Sequence, residues 1–318
     1  MVKSKKVRLK DIAYALDVSV TCVSRSLRDC SDISENTKKR IRAKAIELGY
    51  QSKYNELKTK EKFVVALILD SITNPYFTKF GDYLIRKLNK ENYDFLIMIT
   101  DSFFKVDDTL IKKCIYRNAD IILSFNEFDE KAIELSKINN VPLVLIGRIP
   151  KFDYVNAFYT DDEKGGTLAF NHLIENGKKK LVYLEEPRSE ASLRRLVGFN
   201  KQVEKYPDVK IAIHDYNNLD FIVEEIKKDK IDGVFAYNDA VALKLVKLLK
   251  AKNLENKNAI IVGYDDDIDY INQYDSNFKT ITFDYDEVSD IVISIIKNKL
   301  ERKIKNKIYR TQVDVTLK

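Results

Sequence analysis

Between positions 19 and 28 the chain places Ser19, Val20, Thr21, Cys22, Ser24, Arg25 and Arg28. Hydroxyls and guanidinium groups around a short apolar stretch suit nucleic-acid recognition. Forked and small side chains read base edges, while hydroxyls and cations hold phosphates. Bond-breaking chemistry is much harder to find. No GxGxxG, GxxxxGKS/T or GxSxG occurs, and neither His172 nor His214 stands beside a nucleophile. Acid pairs such as Glu185-Glu186 and Asp265-Asp266 could do acid–base work, but adjacent carboxylates on a loop are ordinarily just solvated. Cys22, Cys30 and Cys114 are an odd set without a CxxC spacing, and they read as reduced thiols in a reducing compartment. With so few ligand residues, no metal and no cofactor are expected. The residues point to binding rather than turnover.

The charge distribution says where the binding takes place. Residues 1–60 hold fifteen Lys and Arg against seven Asp and Glu, a balance of +8. The whole chain carries +6, so residues 61–318 stand at −2. A small basic module on a near-neutral body suggests a polyanion partner for the module alone. A solvated basic tail would show the same charge but no apolar periodicity. At 318 residues the chain exceeds one ordinary domain, and 45% hydrophobic with 33% charged residues is the balance of a globular protein with a core. No stretch approaches the roughly 20 apolar residues that span a bilayer, so no membrane partner is expected. The basic start, Met1 to Arg8, leads into no signal-peptide core, and the expected location is the cytoplasm.

Periodicity supplies the elements that must position these residues. Leu9, Ile12, Ala13 and Leu16 recur at helical spacing, Asp17-Val18 makes a tight break, and Ser19 can cap a second helix over Val20–Leu27. Val23 and Leu27 share its apolar side. Ser34 can cap a third helix to about Leu48, with Ile41, Ala45 and Leu48 inward and Gly49 as its stop. Three short helices with so tight a first connection form a helix-turn-helix, whose second helix lies in the major groove. Val20, Thr21 and Cys22 would then read bases, Arg25 would contact a guanine or a phosphate, and Ser19, Ser24 and Thr37 would hold phosphates.

Leu9-Lys10-Asp11-Ile12-Ala13, Val18-Ser19-Val20-Thr21-Cys22-Val23-Ser24-Arg25-Ser26-Leu27, Ile33-Ser34-Glu35-Asn36-Thr37, Arg40-Ile41 and Glu47-Leu48-Gly49-Tyr50 resemble, in register, the headpiece of the LacI/GalR repressors. After Gly-Tyr that family usually has Arg-Pro-Asn and then a hinge helix, from which a leucine wedges into the minor groove. Here Tyr50-Gln51-Ser52-Lys53-Tyr54-Asn55-Glu56-Leu57-Lys58-Thr59-Lys60 lacks the Pro and Asn and is about two residues shorter. Leu57 is the apolar residue left for a wedge; the alternative is that it packs between linkers.

Beyond residue 60, apolar runs alternate with amphipathic stretches. Strands are expected at Val64–Leu69, Phe95–Thr100, Ile121–Ser124, Leu143–Ile146, Leu181–Leu184, Ile211–Ile213, Val234–Ala236, Ile260–Val262 and Thr280–Thr282. This alternation predicts an α/β protein with parallel sheets covered on both faces, and nine strands suit two Rossmann-like lobes. The chain would cross between them near Phe158–Asp162 and again near Phe283. The expected domains are a headpiece and hinge at 1–60 and an effector-binding, dimerising domain at 61–318. Its N-lobe would span about 61–158 and 284–300, and its C-lobe 159–283 and 301–318. Ligands bind at the carboxyl ends of parallel strands. The loops at Asp70–Phe77, Gly147-Arg148, Tyr237-Asn238-Asp239 and Gly263–Asp266 therefore belong at the cleft.

These loops also resemble family landmarks. Asn74-Pro75-Tyr76-Phe77 is similar to Asn-Pro-Phe-Phe, Gly147-Arg148 stands where Asp-Arg is common, and Asp161-Asp162 leading to Gly165-Gly166 resembles the crossover. Arg195-Leu196-Val197-Gly198-Phe199, Asn238-Asp239 with Ala242, and Val262-Gly263-Tyr264-Asp265-Asp266 continue the match. The resemblance implies a periplasmic-binding-protein-like sensor. Arg195, Asn238 and Asp265 would bind an effector from the C-lobe, Phe77 and Arg148 from the N-lobe, with Asn74 near the rim. On the residues alone Asp265 and Asn238 could be loop caps, Arg195 a surface ion pair and Phe77 plain core. The implied protein is a repressor, not an enzyme. It would bind a pseudo-palindromic operator in double-stranded DNA as a homodimer, under control of a small ligand such as a sugar, or of a co-repressor protein. A solute-binding protein of the same fold is the rival reading, set against the headpiece and the missing signal peptide.

Overall fold

The computed structural model describes residues 7–27, 30, 32–48, 50, 62–72, 75–100, 105–254, 257–266, 278–302, 304 and 307–318. The headpiece opens with α1 (Leu9–Leu16). Asp17, in the left-handed region at φ 54°, ends it, and the Val18 amide closes onto the Ala13 carbonyl at 3.0 Å. Ser19 then caps α2 (Val20–Leu27), its Oγ accepting the Cys22 amide at 3.0 Å. Ser34 caps α3 (Glu35–Glu47) by accepting the Thr37 amide at 3.2 Å. Ile12, Ala13, Val23, Ile41, Ala45 and Tyr50 form the core of this module.

Next come β1 (Val64–Leu69), α4 (Pro75–Lys90), β2 (Asp94–Ile99), β3 (Lys105–Val106), α5 (Asp108–Tyr116), β4 (Ile121–Ser124), β5 (Glu127–Phe128), α6 (Glu130–Asn139), β6 (Leu143–Ile146) and β7 (Asn156–Thr160). The chain continues through α7 (Asp162–Glu175), β8 (Lys180–Glu185), α8 (Glu190–Asn200), β9 (Lys210–Asp215), α9 (Leu219–Lys227), β10 (Gly233–Ala236), α10 (Asp239–Ala251) and β11 (Ile260–Tyr264). It ends with β12 (Phe278–Thr282), α11 (Tyr285–Leu300), β13 (Arg310–Val313) and β14 (Thr316–Leu317). Helix starts are capped by short polar side chains: Asp107, Asp129, Asp161, Ser189, Asn238 and Asp284 each accept an amide of the first turn.

Two six-stranded sheets result, in the orders β13-β7-β6-β4-β1-β2 and β14-β12-β11-β10-β8-β9. The pairings are parallel except for β12 with β14. Alternation within β1 explains its unbroken apolar run: Val65, Leu67 and Leu69 enter one core, and Ala66 and Ile68 the other. β8 does the same, with Leu181 and Tyr183 on one side and Val182 and Leu184 on the other.

All nine expected strands are present: three keep their expected limits, the second is shifted by one residue, and the five of the second lobe are longer by one to three residues. The expected division of the C-terminal segment needs correction. The sequence places residues 301–318 in the C-lobe, but Arg310–Val313 pairs with Ala157–Thr160 in the first sheet. Only Thr316–Leu317 joins the second, against β12. The N-lobe therefore takes in β7 to Thr160 and the chain from α11 through Val313. A third crossover, at Asp314-Val315, lies beside the one at Asp161, whose amide donates to the Val313 carbonyl at 3.0 Å.

Candidate ligand cleft and DNA-reading face

On α2 the inward residues are Val23 and Ser26, which leaves Thr21 and Arg25 exposed one turn apart, with Val20 beside them. Ser24 is half-buried. Cys22, expected among the reading residues, is half-buried and packs partly against the headpiece core, while Val20 and Thr21 are the outward apolar and hydroxyl pair. The Thr37 hydroxyl is tied to that of Ser34 at 2.8 Å, and Ser19 serves α2 as its cap. Arg25 is ion-paired with Asp32 at 2.8 Å. Arg28 and Leu57 lie outside the described residues, as does Asn74.

The cleft is built on Asp162, the first residue of α7, whose side chain is fully buried. Arg194 Nη2 reaches it at 2.9 Å, Arg195 Nε at 3.0 Å and the Thr160 hydroxyl at 3.2 Å. One carboxylate thus fixes two guanidinium groups. Arg195 also donates to the Tyr237 carbonyl, lies 3.4 Å above the centre of the Tyr264 ring, and brings Nη2 within 3.9 Å of Asp265 Oδ1. Burial works against its charge, yet Asp162, Tyr264 and Asp265 hold its pKa above the ordinary value. The surface ion pair allowed by the sequence is excluded, because Arg195 is only 8% exposed.

Asp265 is presented by a strained turn. It has φ 108° and Asp266 has φ 60°, both left-handed, and the Asp265 amide is held by the Ile281 carbonyl at 2.9 Å. Beneath the turn, Asp239 is buried and receives the Thr280 hydroxyl at 2.8 Å. A Cβ on Gly263 would come within 1.9 Å of that carboxylate, so glycine is required there. Asn238 is indeed a helix cap, as one sequence reading had it: its Oδ1 accepts the Val241 amide at 3.0 Å, which leaves Nδ2 as the half of the amide outside the cap.

Facing these groups, Arg148 follows β6 and donates to the Phe125 carbonyl at 2.6 Å. Burial lowers its pKa and Asp70 opposes that shift. Asp70 accepts from the Asn126 amide, but burial still raises its pKa. The aromatic wall consists of Tyr76, Phe77 and Phe125, with ring centres 5.4 Å apart for Tyr76–Phe77 and 4.7 Å for Phe77–Phe125. Burial pushes the Tyr76 phenol up, and the Asp265 charge adds to this. Backbone and phenol together disfavour a side chain before Arg148. Gly147 has φ +71°, and a Cβ there would stand 3.1 Å from the Tyr76 hydroxyl. Asp70, Tyr76, Asp162 and Tyr264 stand in the motifs read from the sequence but carry no site role there, and Asn126 is not among them. Their positions at strand ends and at the crossover were the available signal.

The lobes meet directly. Lys79 of α4 pairs with Asp266 at 3.1 Å, and the Tyr285 hydroxyl donates to the Asp265 carbonyl. An open cavity of about 590 Å³ lies at the crossovers, where Tyr159, Asp161, Asp162, Lys164, Arg194 and Gln312 line it; no described residue of the expected effector set is in its lining. Two of its cations are ion-paired, Lys164 with Asp314 and Arg194 with Asp162 and Glu190. The expected effector residues comprise guanidinium groups, a carboxylate, an amide and an aromatic ring. That set can donate to and accept from hydroxyl groups while covering an apolar ring face.

A helix-turn-helix joined to a two-lobed cleft of this kind defines a ligand-responsive DNA-binding regulator. Residues 8–53 match the bacterial regulatory proteins of the lacI family and residues 65–303 the periplasmic binding protein domain, and the chain belongs to the LacI family of transcription regulators. It is similar to the ribose operon repressor of Lactococcus lactis subsp. lactis (strain IL1403), 23% identical over 271 residues, with 81% of this chain and 80% of that one covered. Two solved structures share its fold over 98% of both chains at 18% identity. One is the transcriptional regulator CelR in complex with cellobiose, TM-score 0.67. The other is the lac repressor dimer bound to operator and the anti-inducer ONPF, TM-score 0.64. Among the described residues no helix is long and apolar enough to cross a membrane.

Proposed function

We propose that the chain is a cytoplasmic repressor that grips a pseudo-palindromic operator as a homodimer, under the control of a small polyhydroxyl ligand, a sugar or related polar metabolite. In this reading Arg195, Asp265 and Asn238 bond the ligand from the second lobe, and Phe77 and Arg148 meet it from the first, with Asn74 at the rim. The observation that carries it is the buried Arg195, held by Asp162 and close to Asp265, with the Tyr76 phenol of the first lobe near enough to feel both charges. The sugar-bound neighbour supports the ligand class. For the dimer, the support is an uncovered apolar edge in each lobe. Phe95, Ile97 and Ile99 alternate along one face of edge strand β2 at 36%, 45% and 45% exposure. Ile213 on edge strand β9 and Phe221 on α9 are exposed likewise. Such edges invite a second copy, and a two-fold protein needs a two-fold site.

Selection of random duplex DNA by the purified full-length protein at near-physiological salt tests the DNA half. An enriched site with two-fold symmetry is the expected result; salt-sensitive binding with no enriched sequence would overturn it. Titrating a panel of pentoses, hexoses and disaccharides against the selected complex tests the ligand half. A saturable change in operator affinity is expected from at least one. A uniformly silent panel would replace the sugar with a co-repressor protein.

A further inference from the structure

Arg25 and Asp32 form a side-on pair: Nε lies 3.2 Å from Oδ1 and Nη2 2.8 Å from Oδ2. Both side chains are about half exposed, at 45% and 47%, so packing does not force them together. Backbone hydrogen bonds flank Asp32. The Cys30 amide donates to the Arg25 carbonyl at 3.0 Å, the Ile33 amide donates to the Cys30 carbonyl at 3.3 Å, and Ser34 caps α3 two residues on. A carboxylate is an odd choice for the outer face of a module carrying +8, because it repels the phosphates that the rest of the module attracts. Its cost to non-specific binding calls for a compensating role.

The arithmetic of the guanidinium supplies one. It has five N–H groups in a rigid fork. Asp32 takes the Nε hydrogen and one on Nη2, which leaves both Nη1 hydrogens and the other Nη2 hydrogen on the far edge. That end-on edge is the one that spans O6 and N7 of guanine in the major groove. We propose that Asp32 is a positioning residue that locks Arg25 edge-on toward a guanine, trading affinity for any DNA against preference at one base pair of each half-site. The inference rests on the operator-binding reading above.

Parallel selections with the unmodified protein, Asp32→Ala, Asp32→Asn and Arg25→Ala test it. The unmodified protein should fix a guanine at one position per half-site, and Arg25→Ala should erase that preference. Asp32→Ala should weaken the same preference by about tenfold while leaving positions beside Val20 and Thr21 unchanged, and it should bind non-specific DNA as tightly or more tightly. Asp32→Asn, with one acceptor left, should fall between. In the Arg25→Ala background Asp32→Ala should change nothing further at that position. Undiminished guanine preference in Asp32→Ala would overturn the inference, as would an equal loss at every position. No enriched site for the unmodified protein would remove the operator reading itself, and this inference with it.

Discussion

Asp265 carries the sharpest prediction because its charge and its backbone can be separated. Asp265→Asn keeps a side chain that tolerates the left-handed region and removes the charge facing Arg195. Hydrogen bonds to charged groups contribute about 1.5–3 kcal/mol, so effector affinity should fall roughly ten- to a hundredfold while operator affinity in the absence of ligand stays unchanged. Isothermal titration and operator binding, read together, decide it; loss of both functions would make Asp265 structural. Gly147 offers a second test. Gly147→Ala should cost about 1–2 kcal/mol, since it combines a left-handed φ with a contact to the Tyr76 hydroxyl. Urea unfolding should show part of that cost relieved in Tyr76→Phe, because the contacting atom is then gone; strictly additive effects would refute the steric part. Arg195, Asn238 and Asp265 stand out in the sequence because each sits in a motif or just after an apolar run; their role toward an effector is a proposal. The Asp70–Asn126 bond and the Tyr76–Gly147 contact do not stand out, because they join residues 56 and 71 positions apart that only the parallel sheet brings together.

Elements with a strong local signal were readable almost to the residue. The α1 and α2 limits follow from apolar spacing, the Asp17 turn and the Ser19 cap, all of which act within one or two turns of chain. The cap can be tested locally. Ser19→Ala should destabilise α2 by ~0.5–2 kcal/mol, and hydrogen exchange should quicken at the Cys22 amide and its neighbours but not in α7 or α10. Unchanged exchange there would mean that packing of Val23 alone holds the helix. β7 and β13 were missed for a different reason. Asn156-Ala157-Phe158-Tyr159-Thr160 has too short an apolar run, and Arg310-Thr311-Gln312-Val313 is polar because it forms a sheet edge. The partner strand 153 residues away makes it a strand, and the same pairing overturned the expected lobe assignment of the C-terminal segment.

At the scale of the molecule, ligand control requires that the two lobes and the two headpieces share one equilibrium. A ligand shifts that equilibrium only by its differential affinity for the two states. Closure is written into the fold by contacts that cross the lobes, Lys79 to Asp266 and Tyr285 to the Asp265 carbonyl. The second of these ends on Asp265, the residue proposed to bond the effector. Any rotation of the first lobe reaches the DNA only if a second copy is fixed to it, and β2 is the edge that would fix it. Ile97→Asp together with Ile99→Asp places two charges on that edge, at positions 45% exposed in the single chain, so the fold of each lobe should survive. Burying unpaired carboxylates in an apolar interface is costly, and the dimer should dissociate. Sedimentation should then show a monomer, effector binding should remain, and operator affinity should drop to the weaker level of a single half-site. A monomer that still bound the full operator at the original strength would break the link between the β2 edge and DNA recognition. A dimer that survived both charges would move the interface to the β9 edge, where Ile213 and Phe221 would be the next residues to charge.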